Sequence, residues 1–249
     1  MIKKLAISSI VSIALLSQAA NAQTKVGNAG VITGTVGVAS QYISKGFDSN
    51  RDKPTAFLTG EFASNSDIQL ILGGGLFYSN PDKESQVSGG GYDYELDYNI
   101  GLRKAFDKLT FDLGYIWFTY PQAESRVNQD TGAFYAKAIF AATKSTSLSF
   151  YYEQEDTDGF RPGADANPRG LTGDQYYEIG LSHNFGPASL NVSYGDWDDN
   201  LSFYKLGLSK EFMGLNLTAD YIKQDRSRQT WNANWKDEEF FVVGASKSF

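Results

Sequence analysis

The 249-residue sequence predicts an all-β fold, a transmembrane antiparallel up-and-down β-barrel of about twelve strands. Three observations lead to this fold class. Apolar and polar residues alternate with a period of two over long segments, which is the pattern of strands with one apolar face. Short and long connections alternate along the chain. Aromatic residues make up 14% of the sequence and concentrate near strand ends, as they do in interfacial girdles.

The first 22 residues have the features of a secretory signal peptide. Lys3 and Lys4 precede an apolar stretch from Leu5 to Leu16, and Ala20-Asn21-Ala22 supplies small residues before Gln23. The apolar stretch is too short to span a bilayer as a helix. We therefore expect residues 1–22 to be removed on export and residues 23–249 to form a single outer-membrane barrel domain. A membrane anchor at the N-terminus is the alternative interpretation.

The alternation is clearest in residues 91–104. Even positions such as Tyr94, Leu96 and Tyr98 are apolar or aromatic, whereas odd positions are polar, charged or glycine. The strands predicted in this way exceed the usual length in soluble sheets and are long enough to cross a bilayer at a tilt. The twelve predicted strands lie near 31–43, 54–64, 67–79, 91–104, 107–120, 132–144, 146–156, 174–185, 188–197, 202–211, 214–225 and 237–249.

The predicted connections fall into two classes. Tight turns are expected at Asn65-Ser66, Ala105-Phe106, Ser145, Gly186-Pro187 and Met213, and longer polar segments at 44–53, 80–90, 121–131, 157–173, 198–201 and 226–236. Short turns on one side and long loops on the other are typical of outer-membrane barrels. An even number of strands closes such a barrel without an edge in lipid. A soluble barrel or sandwich is the alternative, with its apolar face turned inward.

Composition removes several classes of function. The chain has no cysteine, which excludes disulfide frameworks and thiolate metal sites. His183 is the single histidine. Its neighbour Ser182 points to the other face of the predicted strand, so the two side chains do not form a catalytic Ser–His pair. Without residues 1–22 the chain carries 20 basic and 29 acidic residues, a net charge of −9, which does not suit nucleic acid. We expect no enzyme activity, no cofactor, no metal site and no nucleic-acid partner.

The polar faces of the predicted strands place charged side chains inside the barrel. Eight acids and three bases are expected on the inner wall: Glu61, Asp93, Glu95, Asp97, Asp112, Glu153, Glu178 and Asp220 against Arg103, Lys137 and Lys205. Such an acidic lumen favours small polar or cationic solutes in a porin-like channel. The loop at 157–173 is expected to face the cell exterior, with Arg161 and Arg169 folded inward as a constriction.

Two other functions stay open at this point. Charges inside a narrow barrel can pair into a plug that conducts nothing, and the protein would then have a structural or surface-recognition role. A soluble ligand-binding protein is the third hypothesis for the function. Inward glycines such as Gly37, Gly101 and Gly114 favour an open lumen over a plugged one.

The C-terminal strand predicts how the chain is assembled into the membrane. Phe241, Val243, Ala245 and the terminal Phe249 share one face of this strand. A terminal aromatic pattern of this kind resembles the signal read by the outer-membrane assembly machinery. The expected partners are therefore the lipid bilayer and that machinery.

Three segments carry a family resemblance. Val38-Ala-Ser-Gln-Tyr-Ile-Ser-Lys45-Gly46-Phe47, followed by Lys53-Pro54-Thr-Ala56, resembles the opening motif of the proteobacterial TorF-type porin family, also labelled Gcw_chp. Residues 95–101 and 114–121 resemble its next two landmarks. The resemblance implies an outer-membrane barrel of porin type and supplies no substrate. The family usually has Arg where this chain has Lys45, so bidentate binding is not implied there.

Overall fold

The computed structural model describes residues 23–49, 52–79, 94–121, 131–156, 175–198, 201–226 and 237–249. Fifteen strands lie within these ranges: β1 Thr24–Val26, β2 Gly30–Ala39, β3 Ile43–Ser44, β4 Phe47–Asp48, β5 Thr55–Ser64, β6 Gln69–Ser79, β7 Tyr94–Phe106, β8 Leu109–Thr119, β9 Thr131–Ala141, β10 Thr146–Glu155, β11 Gln175–Asn184, β12 Ser189–Trp197, β13 Leu201–Phe212, β14 Leu215–Asp225 and β15 Glu239–Ser248. None of the residues in these ranges belongs to a helix with the length and hydropathy of a membrane span.

Twelve of these strands form a closed antiparallel barrel. Each strand from β5 to β15 pairs with its neighbours in chain order, and β2 pairs with both β5 and β15. Gly34 and Phe249 complete the closure by exchanging two backbone hydrogen bonds of 2.9 Å. The predicted twelve-stranded barrel is confirmed. Because the barrel is closed, every strand has a partner on both sides and no edge is left to satisfy in lipid.

Strand boundaries agree with the predicted ones to within four residues, and two differences have a local cause. The β7–β8 turn lies at Asp107 and Lys108 rather than at Ala105-Phe106, and Asp107 adopts the left-handed conformation that the turn requires, with φ 43°. The first barrel strand ends at Ala39 instead of continuing to residue 43, and the segment predicted as a plain loop forms the short hairpin β3–β4.

The outer surface of the barrel is apolar. Exposed aliphatic side chains form its middle band, among them Val36, Leu58, Leu72, Ile100, Leu113, Ile179, Val192 and Leu206. Exposed aromatic side chains flank this band at both strand ends, among them Tyr78, Phe134, Tyr204 and Phe241 at one end and Phe106, Phe111, Phe185 and Phe212 at the other. A soluble barrel would bury these side chains, whereas a lipid-facing barrel presents them outward.

Candidate functional site: the barrel lumen

The lumen has two ends that differ in their connections. The turns at residues 65–68, 107–108, 142–145, 185–188 and 213–214 lie at one end, together with the N-terminus of β2 and the C-terminus of β15. We call this the turn end and the opposite one the loop end. Residues facing the lumen near the turn end are mostly polar or charged, and those near the loop end are mostly aromatic or aliphatic.

A buried ion network lies in the turn half of the lumen. The Arg103 guanidinium donates to both carboxylate oxygens of Glu61 at 2.7 and 2.9 Å. It also donates from Nε and Nη2 to Asp112 Oδ2 at 3.0 and 2.6 Å. All three side chains are almost completely buried. This fork geometry pairs the one positive charge of Arg103 with two of the predicted wall carboxylates.

Other charged side chains surround this network. Lys137 lies directly across from Asp112 in the β8–β9 register, and Glu178 lies two strands further on. Lys205 faces the lumen from β13, and Asp220 faces it from the adjacent β14. Tyr176 donates a 2.7 Å hydrogen bond to Glu178.

The predicted wall residues are thus brought together where the structure describes them. Nine are buried with their side chains in the lumen: Glu61, Glu95, Asp97, Arg103, Asp112, Lys137, Glu153, Glu178 and Lys205. Asp220 is half-buried beside a lumen cavity. Asp93 and the predicted constriction residues Arg161 and Arg169 lie outside the described residues. The role of all of these residues as the lining of a pore stays a prediction.

Several polar atoms in the turn half have no protein partner among the described residues. They include the side-chain amide of Asn191, the hydroxyls of Ser149, Ser193 and Ser209, and one carboxylate oxygen of Asp220. Asn191, Ser193, Ser209 and Asp220 come from the neighbouring strands β12, β13 and β14, and Ser149 comes from β10. Buried polar groups that lack a protein partner require water, because leaving them dry costs about 1–3 kcal/mol each. The turn half of the lumen therefore contains polar groups whose hydrogen bonds the described protein atoms do not supply.

The loop half is filled by aromatic and aliphatic side chains in two clusters. The first contains Tyr42, Phe57, Phe77, Ile116, Ala133 and Tyr135, and the second contains Tyr176, Leu201, Phe203, Ile222, Phe240 and Val242. Tyr42 comes from the segment after β2, and its ring stacks on Phe77 at 5.1 Å between centroids. Its hydroxyl donates to Glu95 at 3.2 Å, so this segment is bound to the inner wall.

The β3–β4 hairpin, which we call the inner hairpin (residues 43–48), lies inside the loop half. Gln224 on β14 donates to the carbonyl of Gly46 at 2.7 Å, and the Arg226 guanidinium lies 5.4 Å from the ring of Phe47. Ile43 and Phe47 pack against the second cluster. The two-residue turn has positive φ at Lys45 (50°) and Gly46 (79°), as a type I′ turn requires.

The inner hairpin holds Lys45 in an aromatic cage. The Lys45 ammonium lies 4.8 Å from the ring centroid of Phe118, 5.4 Å from that of Tyr176 and 5.6 Å from that of Trp197. It also forms an ion pair with Glu153 on β10. These distances are within the range of cation–π attraction, and the partly desolvated position strengthens it.

The inward glycines do not leave the lumen open, which corrects the sequence interpretation. A Cβ on Gly101 would lie 2.5 Å from Tyr135 Oη, and a Cβ on Gly114 would lie 2.6 Å from the same atom. A Cβ on Gly37 would collide with the ring of Phe57. The missing side chain at each position is therefore space that a neighbouring ring fills, because rings lie flat against a wall only where no Cβ projects.

Two basic residues of the lumen were not predicted. Lys45 and Arg226 both face inward at the loop end, and Arg226 pairs with Glu238 at 3.1 Å. For Lys45 a signal was present, because Lys45-Gly46 between Ile43-Ser44 and Phe47 has the pattern of a two-residue hairpin turn. Alternation alone cannot show that this hairpin points inward, so the sequence interpretation treated residues 44–53 as an ordinary loop.

A cavity of ≈ 80 Å³ lies between the inner hairpin segment and the wall formed by β2, β5, β6, β14 and β15. Gln41, Thr55, Thr218, Asp220 and Ser246 contribute polar groups to its lining. The volume is enough for a few water molecules. The lining therefore contains both Asp220, one of the groups without a protein partner, and Tyr42 and Ile43 of the segment that fills the loop half.

The single histidine of the chain does not face the lumen. His183 is on the outer face near the turn end, where its Nδ1 is 2.9 Å from the Thr146 hydroxyl and its ring is 4.4 Å from that of Phe185. Within the described ranges, no group of three or more His, Asp or Glu side chains is arranged to hold a metal ion.

Known proteins resemble this chain in fold. It is similar to the NanC porin, with 10% identity over 87% of this chain and 98% of the porin and a TM-score of 0.53. It is similar to the KdgM porin, with 10% identity over 87% of this chain and 99% of that porin and a TM-score of 0.51. A third similar structure is the COG4313 outer membrane channel from Pseudomonas putida F1, with 11% identity, coverage of 92% and 98%, and a TM-score of 0.51.

At these identities the likeness concerns the fold alone. None of the curated proteins matches the chain in sequence. The Gcw_chp family, described as bacterial protein of unknown function, matches residues 23–249, which is the whole of the predicted barrel domain. The family suggested by the three sequence segments is thereby confirmed, and this chain belongs to the Gcw_chp family.

Proposed function

We propose that this protein is an outer-membrane channel for the passive passage of small polar solutes, with a preference for cations. The observation that carries the proposal is the set of buried polar atoms without protein partners in the turn half, including Asn191, Ser193 and Ser209. A soluble or plugged barrel would gain stability by replacing them with apolar side chains. A water-filled path gives these groups their hydrogen bonds.

The charge of the lumen supports a modest preference for cations. Seven of the predicted acids lie on the lumen wall among the described residues, namely Glu61, Glu95, Asp97, Asp112, Glu153, Glu178 and Asp220. The described residues also place five bases there, namely Lys45, Arg103, Lys137, Lys205 and Arg226. Lys45 and Arg226 raise the number of bases from the three predicted to five, and Asp93, the eighth predicted acid, lies outside the described residues. Carboxylates on a low-dielectric wall raise the local concentration of cations.

The proposed location follows from the outer surface. The apolar band with aromatic side chains at both ends matches a bilayer and its two interfaces, and the expected signal peptide provides export. Phe249 ends the strand that closes the barrel onto Gly34. We propose that the assembly machinery reads this C-terminal strand before closure.

Conductance of the refolded protein in planar bilayers tests the proposal. Residues 23–249 are inserted into a lipid bilayer in KCl, and the current and the reversal potential in a salt gradient are measured. A channel produces discrete current steps and a reversal potential of the sign expected for cations. Discrete steps with an anion-selective reversal potential would overturn the cation preference alone.

A non-conducting barrel with a structural or surface-recognition role is the second candidate. The observation that favours it is the filling of the loop half by the inner hairpin and the two aromatic clusters. Wild-type protein without current steps, together with a hairpin variant that also conducts nothing, would favour this candidate over the channel.

A further inference from the structure

The site around Lys45 has the composition of an ammonium-binding site. Three aromatic rings, from Phe118, Tyr176 and Trp197, surround the Lys45 ammonium at 4.8 to 5.6 Å. They come from three different strands, β8, β11 and β12. Rings arranged in this way bind ammonium groups through their negative faces, and the binding is stronger where water is excluded.

Carboxylates complete this site on its lumen side. Glu153 pairs with the Lys45 ammonium, and Tyr151 holds the second oxygen of Glu153 with a 2.8 Å hydrogen bond. Asp97, on β7, is only 3% exposed, and its Oδ1 has no hydrogen-bond partner among the described residues. Asp97 lies directly across from Phe118 in the β7–β8 register, so a carboxyl oxygen without a described partner lies on the strand next to the cage.

Lys45 reaches the cage from a strained backbone position. Its φ of 50° lies in the left-handed region, which is unfavourable for a residue other than glycine. The Lys45 side chain projects from the turn of the inner hairpin, and each of the two strands of this hairpin has two residues. A two-stranded hairpin of this length has little stability of its own, so the contacts of Lys45, Gly46 and Phe47 with the wall hold it inward.

We propose that this cage is a binding site for the ammonium group of small organic amines, and that Lys45 occupies it as a tethered competitor. An amine that displaces Lys45 releases the inner hairpin from Glu153 and opens the loop half. The assignment of this amine as a transported solute rests on the proposed channel function. The cage itself is a property of the folded barrel, and its binding is measurable without any current.

The test uses n-butylammonium, because it is the side chain of lysine beyond Cα. Lys45→Gly empties the cage and relieves the positive φ. Lys45→Met is the matched control, since its unbranched apolar chain still fills the cage but carries no charge. Binding to the refolded barrel in detergent is measured by isothermal titration calorimetry. We expect Lys45→Gly to bind n-butylammonium at least about tenfold more tightly than Lys45→Met, which corresponds to about 1.4 kcal/mol.

Two further measurements make the result specific. n-Butanol, which has the same chain without the charge, should bind Lys45→Gly at least about tenfold more weakly than n-butylammonium. Lys45→Gly/Glu153→Gln should lose most of the binding, because the carboxylate partner is gone. Equal binding of n-butylammonium by Lys45→Gly and Lys45→Met, or equal binding of the amine and the alcohol, overturns the proposal. If Lys45→Gly lacks the β-sheet circular dichroism spectrum of the wild type, Lys45→Asn replaces it, since Asn also tolerates positive φ.

Calorimetry tests the cage and conductance tests the channel, so the two proposals can be overturned separately. Amine binding by Lys45→Gly without current in any variant supports the cage and overturns the channel. Current steps in the wild type without amine binding by Lys45→Gly overturn the cage and leave the channel.

Discussion

The Lys45 ammonium is paired with Glu153, which is 108 positions away in the sequence. Glu153 is on β10, the strand that lies farthest around the barrel from β2. The hairpin follows β2, and β10 is six strands from β2 in either direction around the ring. One ion pair therefore joins two opposite walls across the loop half. A side chain from a connecting segment spans the path that solutes would take.

Breaking this pair from the wall side should loosen the inner hairpin. Glu153→Gln leaves the Lys45 ammonium without its carboxylate, which weakens a charge-assisted contact by about 1–3 kcal/mol. We expect a several-fold rise in KCl conductance in planar bilayers. Glu239→Gln is the control, because Glu239 pairs with Lys223 at an exposed site, where an ion pair contributes about 0–1 kcal/mol. Equal conductance of Glu153→Gln and wild type would exclude the hairpin as the constriction.

Removing the Arg103 guanidinium should strongly destabilise the barrel. Arg103→Met removes the guanidinium that binds the buried carboxylates of Glu61 and Asp112, at an expected cost of about 3–5 kcal/mol. Urea unfolding of the protein in lipid vesicles, followed by circular dichroism, measures the loss. Lys104→Met is the neighbouring control, since its partner Asp67 is exposed and the expected change is below about 1 kcal/mol. Recovery of stability in Arg103→Met/Glu61→Gln/Asp112→Asn would identify unpaired charge, rather than lost packing, as the cause.

Three acidic positions on β7 and just before it should control selectivity. Replacing Asp93, Glu95 and Asp97 by Asn, Gln and Asn should lower the cation preference, measured as the reversal potential in a KCl gradient. Glu95 and Asp97 are two residues apart and face the same side of β7, and their fixed charge attracts cations over a short distance. The difference should shrink at 1 M salt, where the Debye length falls to about 3 Å. An unchanged reversal potential would mean that other lumen charges set the selectivity.

The outer face of β13 tests membrane insertion. Leu206, in the middle of the strand, is half exposed, and Leu206→Lys should destabilise the vesicle-inserted barrel by about 2–4 kcal/mol. Phe212→Lys, at the turn end of the same strand, should cost about 0–1 kcal/mol because a lysine there reaches the interface. The measurement is urea unfolding from vesicles of the same lipid. Similar losses at both positions would contradict a bilayer centred on the middle of β13.

The strands and their two faces were determined by the sequence alone. In a strand successive side chains point to opposite sides, so the alternation in residues 94–104 predicts both the strand and the inward direction of Glu95, Asp97 and Arg103. The number of strands follows from counting these segments. Closure follows because an unpaired edge is too costly in lipid.

Pairing across the lumen was decided only by the tertiary structure. Arg103 binds Glu61, 42 residues away, as well as its cross-strand neighbour Asp112. The period of two assigns each of these side chains to the interior but contains no information on which of them meet there. The sequence therefore assigned these side chains to the interior without showing which of them pair, and it missed Lys45 and Arg226.

The inner hairpin shows most clearly which features follow from the local sequence and which depend on tertiary contacts. The dipeptide Lys45-Gly46 predicts a tight turn from local backbone preference, since Gly accepts positive φ freely. The direction of that turn depends on Glu153, Phe118, Tyr176 and Trp197, which lie on four other strands. Strand faces follow from the geometry of neighbouring residues, whereas the filling of the lumen follows from contacts between residues far apart in sequence, which exist only after the barrel has closed.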